Sequence, residues 1–427
     1  MDKLLTGIVA APGITFLALS LVWLLGWTPP EKVVSRVTQV VYSGITLACG
    51  VLAWLLYSSG ATSLKVELGD WFVAGEYRFP LTLLADWLSL PMTALTIVLV
   101  GIVTAFSARY LHRDRGFFRF FLLLHLFAFG ALLAFTAGTY DLLLGGWELV
   151  GITSVLLIAF FDERREPVRN SIRVFAAYRL ADVGLLLAIF FIHYSPHSYT
   201  TIGLLLLVAA AGKSAQFPFS GWLPRAMEGP TPSSAIFYGA ISVHLGAYLL
   251  LRSSHIIDQS PWASAAIFFI GAQTALVATL VHRVSPDAKT SLAYAAMAQL
   301  GIVFVEISLG FPRLALAHII GHAIVRTLQF LRAPSMLHDY HRVHAAAGGH
   351  LAKTGAVYER LVPQGLQVWL YRAGLERGYY DSLLERYVIG PFLRFARWLE
   401  GFEPEAVPRL EEPEKPPIPA GNWLVES

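Results

Sequence analysis

Lys213 lies inside one of the most hydrophobic parts of the chain, in the run Gly212-Lys213-Ser214-Ala215-Gln216-Phe217-Pro218-Phe219. The stretch before it, Thr201 to Ala211, is almost wholly apolar, and Pro218 cannot continue an ordinary helix. The lysine is therefore expected near a helix break at membrane depth. A charge at the centre of a spanning helix costs about 2.5–3.5 kcal/mol on insertion scales, which makes an ion or proton pathway the default expectation. Other ionisable residues share this setting. Glu148 falls in Gly146-Trp147-Glu148-Leu149-Val150-Gly151, Arg179 and Asp182 share one helix face, and His244 sits in Ser242-Val243-His244-Leu245-Gly246. His318, His322 and Arg326 recur every four residues and form a polar stripe, and Glu306 interrupts a further apolar run.

A carboxylate beside a buried lysine suits proton relay, because moving the anion toggles the charge of the amine. Glu148 is the natural anion for Lys213, and the pair would titrate as a unit. The competing reading is a static ion pair that holds helices together. Arg179 and Asp182 are equally read as simply neutralising each other. The His318, His322 and Arg326 stripe suits a water-filled path better than a packed polar seam. His244 alone is more often a hydrogen-bonded core residue, and Glu306 either closes the path on one side or faces water at a helix end.

The same residues exclude other chemistries. Cys49, the one cysteine, can form no internal disulfide and cannot by itself hold an iron–sulfur cluster. His338, His341 and His344 lack paired metal-ligand spacing and read as a basic junction, so no metal or cofactor is expected on this chain. No Gly-rich phosphate loop is present, so the energy source is a gradient or a partner and not ATP. No basic run interleaved with aromatics suggests nucleic acid.

Positioning these groups takes many spans. Of 427 residues, 56% are hydrophobic and 14% charged, which places the chain among polytopic membrane proteins. Apolar runs at 6–27, 37–57, 81–106, 117–137, 140–161, 172–193, 200–217, 232–252, 262–282, 288–309 and 312–332 give about eleven transmembrane helices in an all-α bundle, broken at Lys213. The first run reads as a retained helix, with a signal peptide the weaker alternative. The polar and aromatic segment Ser58 to Phe79, with Glu67, Asp70, Trp71, Glu76 and Tyr77 in or beside it, reads as a loop or hairpin outside the membrane.

Loops on one side collect Lys32, Arg36, Arg109, Arg113, Arg115, Arg119, Arg164, Arg165, Arg169, Arg173, Arg225, Arg283 and Lys289. The other side holds Lys3, Lys65, Arg78, Arg252 and Arg313. The positive-inside tendency then places the N-terminus outside and the C-terminus in the cytoplasm. The spanning domain is residues 1–335. Residues 336–427 form a cytoplasmic or interfacial tail, with amphipathic pieces around Gln367 to Tyr371 and Tyr387 to Leu399 and a Pro- and Glu-rich end from Glu403 to Pro419.

The run around Glu148, the run Lys213-Ser214-Ala215-Gln216-Phe217-Pro218 with Trp222-Leu223-Pro224 and Ala226-Met227-Glu228-Gly229-Pro230-Thr231-Pro232, and Leu292-Ala293-Tyr294 with Gln299-Leu300-Gly301 resemble the antiporter-like subunits of respiratory complex I and of Mrp antiporters. The resemblance covers about Trp147 to Arg326. It implies that Glu148 and Lys213 are a coupled proton-handling pair, that Arg179 and Asp182 adjoin them, and that His318, His322 and Arg326 line a later channel. Tyr238 stands where those subunits usually carry a histidine, His244 where they have a small polar residue or a lysine, and Arg326 where they have a lysine. The further helices that follow in those subunits are missing from this sequence, which leaves open whether a proton crosses through this chain alone or needs a partner to complete its route. Gly378-Tyr379-Tyr380-Asp381 and Gly390-Pro391-Phe392 are similar to the tail of the largest complex I antiporter subunit.

The run Phe330-Leu331-Arg332-Ala333-Pro334-Ser335-Met336-Leu337-His338-Asp339 looks most like the membrane subunit of the Dab inorganic-carbon uptake complex. That resemblance implies a large cytoplasmic carbonic-anhydrase-like partner of the DabA type, with zinc on the partner. The expectation is a subunit of the bacterial inner membrane that passes protons or sodium and couples this to hydration of carbon dioxide to bicarbonate, without being the hydratase. Two rivals stand beside it. One is an antiporter-like subunit of a complex I type NADH:quinone oxidoreductase; the other is a non-conducting membrane anchor.

Overall fold

The structure is a computed structural model that describes residues 1–75, 77–335, 360–379, 386–387 and 390–400. Glu76, the His338–His344 run, most of the Phe330–Asp339 run's second half and the Glu403–Pro419 end lie outside the described residues. The chain forms two compact units, Met1–Gly378 and Tyr379–Ser427.

In the first unit the order is α1 (Asp2–Leu24), α2 (Glu31–Ser59), β1 (Leu64–Ala74), β2 (Tyr77–Ala85), α3 (Ser89–Tyr110), α4 (Phe117–Thr136), α5 (Tyr140–Ile158), α6 (Arg165–Tyr194) and α7 (Tyr199–Lys213). The short α8 (Trp222–Arg225) and α9 (Thr231–Ser233) precede a π-helical segment, Ser234–Ala240. Then come α10 (His244–Arg252), α11 (Ser254–Ile257), α12 (Pro261–Val284), α13 (Ala288–Ser308), α14 (Pro312–Arg332) and α15 (Gln364–Leu375). Ten stretches among the described residues are long and apolar enough to cross a membrane, and α7 is a shorter apolar helix. Together they account for the eleven expected spans. Helix starts are set by local chemistry: the side chains of Thr139, Ser260 and Asp287 accept from the backbone N–H groups of Leu142, Ala263 and Thr290.

One expected boundary is wrong. The third span was expected from residue 81, but Tyr77–Ala85 is the second strand of an antiparallel hairpin and the helix begins at Ser89. Leu81-Thr82-Leu83-Leu84-Ala85 is a short apolar run that fits a strand or a helix equally, and a count of apolar residues does not tell the two apart. The hairpin pairs Leu64 with Ala85 through Ala74 with Tyr77, and Leu83 bridges to Ala137.

Two polar clusters fasten the hairpin end of the bundle. Arg252, at the end of α10, donates from Nη1 to Asp86 Oδ2 (2.5 Å) and from Nη2 to the Tyr248 hydroxyl (2.7 Å). Asp86 also accepts from the backbone N–H groups of Leu88 and Ser89. Tyr77 donates to Asp141 Oδ1 (2.7 Å), whose other oxygen faces His193 Nε2 at 3.2 Å.

The eighth span is the least ordinary. Every residue from Thr231 to Leu251 is buried, the polar Ser234, Ser242 and His244 included. Its helix is interrupted between the π segment and α10. Close packing there demands glycine: a Cβ at Gly246 would run into the Ala210 carbonyl and the Ser214 hydroxyl. Gly246→Val is expected to destabilise the fold by about 1–3 kcal/mol through overpacking. Thermal unfolding in detergent measures this, with Gly145→Ala as control, since nothing lies within 4 Å of a Cβ there.

The tail piece expected around Gln367 is the helix α15, and it packs on α12, where a Cβ at Gly374 would sit 3.0 Å from the Val284 side chain. In the second unit, α16 (Gly390–Glu400) forms where an amphipathic piece was expected, with Phe392, Phe395 and Trp398 exposed.

Candidate functional site

Helix α7 ends at Lys213, as Pro218 foretold. The break is held by polar groups that take up the freed backbone: Gln216 N–H donates to Ala211 O (2.8 Å), Trp222 Nε1 donates to Gly212 O (2.8 Å), and Ser214 Oγ donates to Val243 O (2.6 Å). The last of these ties the break after α7 to the break in the eighth span. Ala215 has a positive φ of 52°, and the Phe217–Pro218 peptide is cis.

Lys213 is 1% exposed. Its Nζ donates to the Trp147 carbonyl (3.1 Å) and lies over two aromatic faces, 4.7 Å from the Trp147 ring centre and 4.5 Å from that of Tyr178. Cation–π contacts of this kind are worth about 2 kcal/mol each when desolvated. No carboxylate lies within ion-pair distance of Lys213 among the described residues. The expected partner is engaged elsewhere: Glu148 Oε2 accepts from Arg179 Nη2, which also donates to Asp182 Oδ2 (2.8 Å). Asp182 Oδ1 in turn accepts from Trp147 Nε1 (2.6 Å). One arginine therefore occupies both carboxylates while the lysine beside them keeps a carbonyl and two rings. The face shared by Arg179 and Asp182 at three-residue spacing is the face turned to α5.

A chain of hydroxyls leads away from this cluster. Ser154 Oγ on α5 lies 3.4 Å from the Tyr178 hydroxyl and 2.9 Å from that of Tyr238 on the π segment. All three are buried. Sequence reasoning noted Tyr238 only as a departure and passed over Ser154 and Tyr178. Hydroxyl residues inside spans carry no insertion penalty large enough to draw attention.

The second cluster joins α10, α13 and α14. His318 faces Glu306 Oε1 through Nδ1 (2.9 Å) and Gln299 Oε1 through Nε2 (3.1 Å). His322 Nδ1 lies 2.9 Å from His244 Nε2, and Arg326 Nε donates to His322 Nε2 (3.2 Å). His244 Nδ1 bonds the Ala240 carbonyl at the end of the π segment. His244 is thus no isolated core histidine; it is paired with the stripe on α14. Glu306 stands in the last turn of α13, its side chain 15% exposed and engaged with His318.

Gln299 and Trp147 were quoted in sequence motifs without a role, and their contacts supply one. His125, not singled out, is buried between Thr38 (3.0 Å) and the stacked ring of Tyr42, as a core histidine. Among the described residues no group of three or more His, Cys, Asp or Glu is placed to hold a metal ion.

Chemically, the first cluster offers an amine whose deprotonation strands no carboxylate, beside two carboxylates held in reserve by a guanidinium. The second offers an acid and three imidazoles in close succession. Both suit the movement of protons more than the making of bonds.

Comparison with known proteins agrees in fold and in family. The family described as NADH:quinone oxidoreductase/Mrp antiporter, TM matches residues 140–359, and that described as NADH-Ubiquinone oxidoreductase (complex I), chain 5 N-terminus matches residues 71–121. The chain is 34% identical over 292 residues to NADH-ubiquinone oxidoreductase chain 5 of Schizophyllum commune, covering 64% of this chain and 43% of that one. It is 33% identical over 311 residues to NADH-quinone oxidoreductase subunit L of Campylobacter jejuni, covering 69% and 51%. It spans about half the length of these relatives. Among solved structures, the Mrp complex from Dietzia superposes with a TM-score of 0.65 at 26% identity, covering 76% of this chain and 37% of that one.

Proposed function

Since the chain belongs to the NADH:quinone oxidoreductase/Mrp antiporter membrane family, we propose that it is the proton-conducting subunit of a multisubunit membrane assembly, with Lys213 as its central carrier. The observation that carries this is the buried Lys213 amine, in no ion pair while Arg179 occupies both Glu148 and Asp182. Release of either carboxylate by Arg179 would give the ammonium a counter-ion; its recapture would withdraw it. Alternation between these two arrangements changes the proton affinity of the amine without moving the helices far. The second cluster then takes the proton onward past Glu306, His318, His322 and His244. The guanidiniums of Arg179 and Arg326 and the protonated Lys213 amine repel a metal cation while imidazoles pass protons, so the reading favours protons over sodium.

The orientation that accompanies it puts the arginine-rich loops and the C-terminus in the cytoplasm and the hairpin outside, in a bacterial inner membrane. The driving assembly we favour is a redox-driven one of the complex I type, because the relatives quoted above are named as oxidoreductase subunits. The Dab-like run Phe330–Asp339 supports a second setting, in which the ion gradient drives carbon dioxide hydration on a zinc-bearing carbonic-anhydrase-like partner. Purification of the tagged chain from native membranes in mild detergent, with mass spectrometry of its companions, separates the two. Flavin and iron–sulfur subunits are expected for the first, and a large zinc protein for the second. A chain that purifies with a soluble enzyme and, in proteoliposomes, moves no protons under an imposed potential would support the anchor reading instead.

A further inference from the structure

Two imidazoles, His322 and His244, lie in a hydrogen-bonded series whose ends are chemically fixed. At one end Arg326 Nε–H donates to His322 Nε2 at 3.2 Å. A guanidinium has donors and no acceptor, and it does not give up its proton in proteins. At the other end stands the Ala240 carbonyl, an acceptor without a proton, bonded to His244 Nδ1. Between them His322 Nδ1 and His244 Nε2 are 2.9 Å apart.

These ends permit one arrangement of neutral rings. Because Arg326 must donate, His322 Nε2 carries no hydrogen and the ring's proton is on Nδ1. His322 Nδ1–H then donates to His244 Nε2, which leaves the proton of His244 on Nδ1 to meet the carbonyl. The reverse polarity would need an arginine that accepts or a carbonyl that donates. A series closed in this way cannot carry a proton from end to end.

We propose that Arg326 is a positioning residue, which locks His322 and His244 as Nδ1–H tautomers, and that protons reach this pair sideways, from Glu306 through His318; the proposal rests on the conduction reading above. His318 is the neighbouring titratable group, its ring centre 6.4 Å from that of His322 and its plane nearly perpendicular. It is bonded to the Glu306 carboxylate at 2.9 Å. Transfer needs the lone pair on His322 Nε2, which Arg326 occupies. When Arg326 withdraws toward Gln329, whose Oε1 already accepts from its Nη1 at 2.7 Å, Nε2 takes a proton from His318. The proton on His322 Nδ1 passes to His244 Nε2, and Glu306 restores a proton to His318. The pair thereby gains the proton that Glu306 gives up, held as the imidazolium of His244, and no electrons change hands.

The test is nitrogen-15 NMR of histidine-labelled full chain in lipid nanodiscs, with signals assigned through single-histidine substitutions, alongside proton flux in proteoliposomes. Wild-type His322 and His244 are expected as Nδ1–H tautomers. Arg326→Met is expected to give a tautomer mixture at His322 and reduced but measurable flux, and Arg326→Lys, which keeps a donor, to restore the single tautomer. His318→Ala is expected to lower flux at least about tenfold, the scale of losing a positioned proton carrier. An Nε2–H tautomer at wild-type His322, unchanged shifts in Arg326→Met, or wild-type flux in His318→Ala would each overturn the proposal. If Lys213→Met conducted normally, the conduction reading would fall, while the nitrogen shifts would still decide the tautomers.

Discussion

Replacing Lys213 by methionine is expected to lower proton flux at least about a hundredfold, because the substitution removes a central group that binds and releases the proton. The same substitution is expected to leave thermal stability unchanged or raised. Methionine has a similar length and no charge, and replacing buried charge by apolar groups of like volume is often neutral or stabilising by about 1–4 kcal/mol. Lys213 is 1% exposed and is held by a carbonyl and two ring faces, and Glu148 and Asp182 keep their bonds from Arg179 when it goes. The combination of lost flux and kept stability separates a carrier from a structural charge, which would show the opposite. Flux of the reconstituted variant, followed with a pH-sensitive dye under a potassium diffusion potential, and its melting temperature in detergent measure the two. Normal flux in a stable Lys213→Met protein would contradict the assignment.

Arg252→Ala is expected to cost about 3–5 kcal/mol, the scale of breaking one side of a buried pair. Asp86 is 12% and Arg252 18% exposed at the side chain, and their two-pronged contact joins the loop ahead of α3 to the end of α10. Burial alone would push the Asp86 carboxyl up, but the bonds from Arg252 and from Ser89 outweigh it and hold the group below its ordinary value. A carboxylate depressed in the folded state stabilises the fold at pH above its unfolded value, and that contribution is lost as pH falls through the folded value. In Arg252→Ala the burial is opposed only by the bonds from Leu88 and Ser89, so acid should weaken the protein less through this group. Melting temperatures of wild type and variant across the acidic range test this: the gap between them is expected to narrow as pH falls. An Asp86→Asn, Arg252→Ala double variant should be less impaired than Arg252→Ala alone, since no buried anion remains.

What was legible beforehand follows the physics of each feature. The break at Lys213 was readable because proline and glycine act within a few residues of themselves. The spans were readable because hydrophobic length is a local sum, yet the same sum ran the third span back through strand β2, since a short apolar run fits either element. Glu148 as the anion for Lys213 was a sound electrostatic guess. The structure gives that carboxylate to Arg179, and nothing local reveals which of two cations on different helices reaches it first. On α14 the stripe of His318, His322 and Arg326 was visible from four-residue spacing. Their partners on α10 and α13 were not, because His244 is six residues beyond Tyr238 along a segment whose π-helical turn shifts the facing of everything after it. Ser154 and Tyr178 escaped notice because a hydroxyl is inexpensive to bury once bonded, and so leaves no anomaly in composition.

The hydrogen bond from Ser214 to the Val243 carbonyl has a consequence for timing. It fastens the residue after Lys213 to the residue before His244, so the amine of one cluster and an imidazole of the other sit on a common crossbar. The eighth span is enclosed by protein along its length and has no lipid into which to yield. A backbone displacement at the end of α7 is therefore passed to the backbone that aims His244. The two clusters are built to change in step, like escapement and pallet in a clock, so that one advances when the other does.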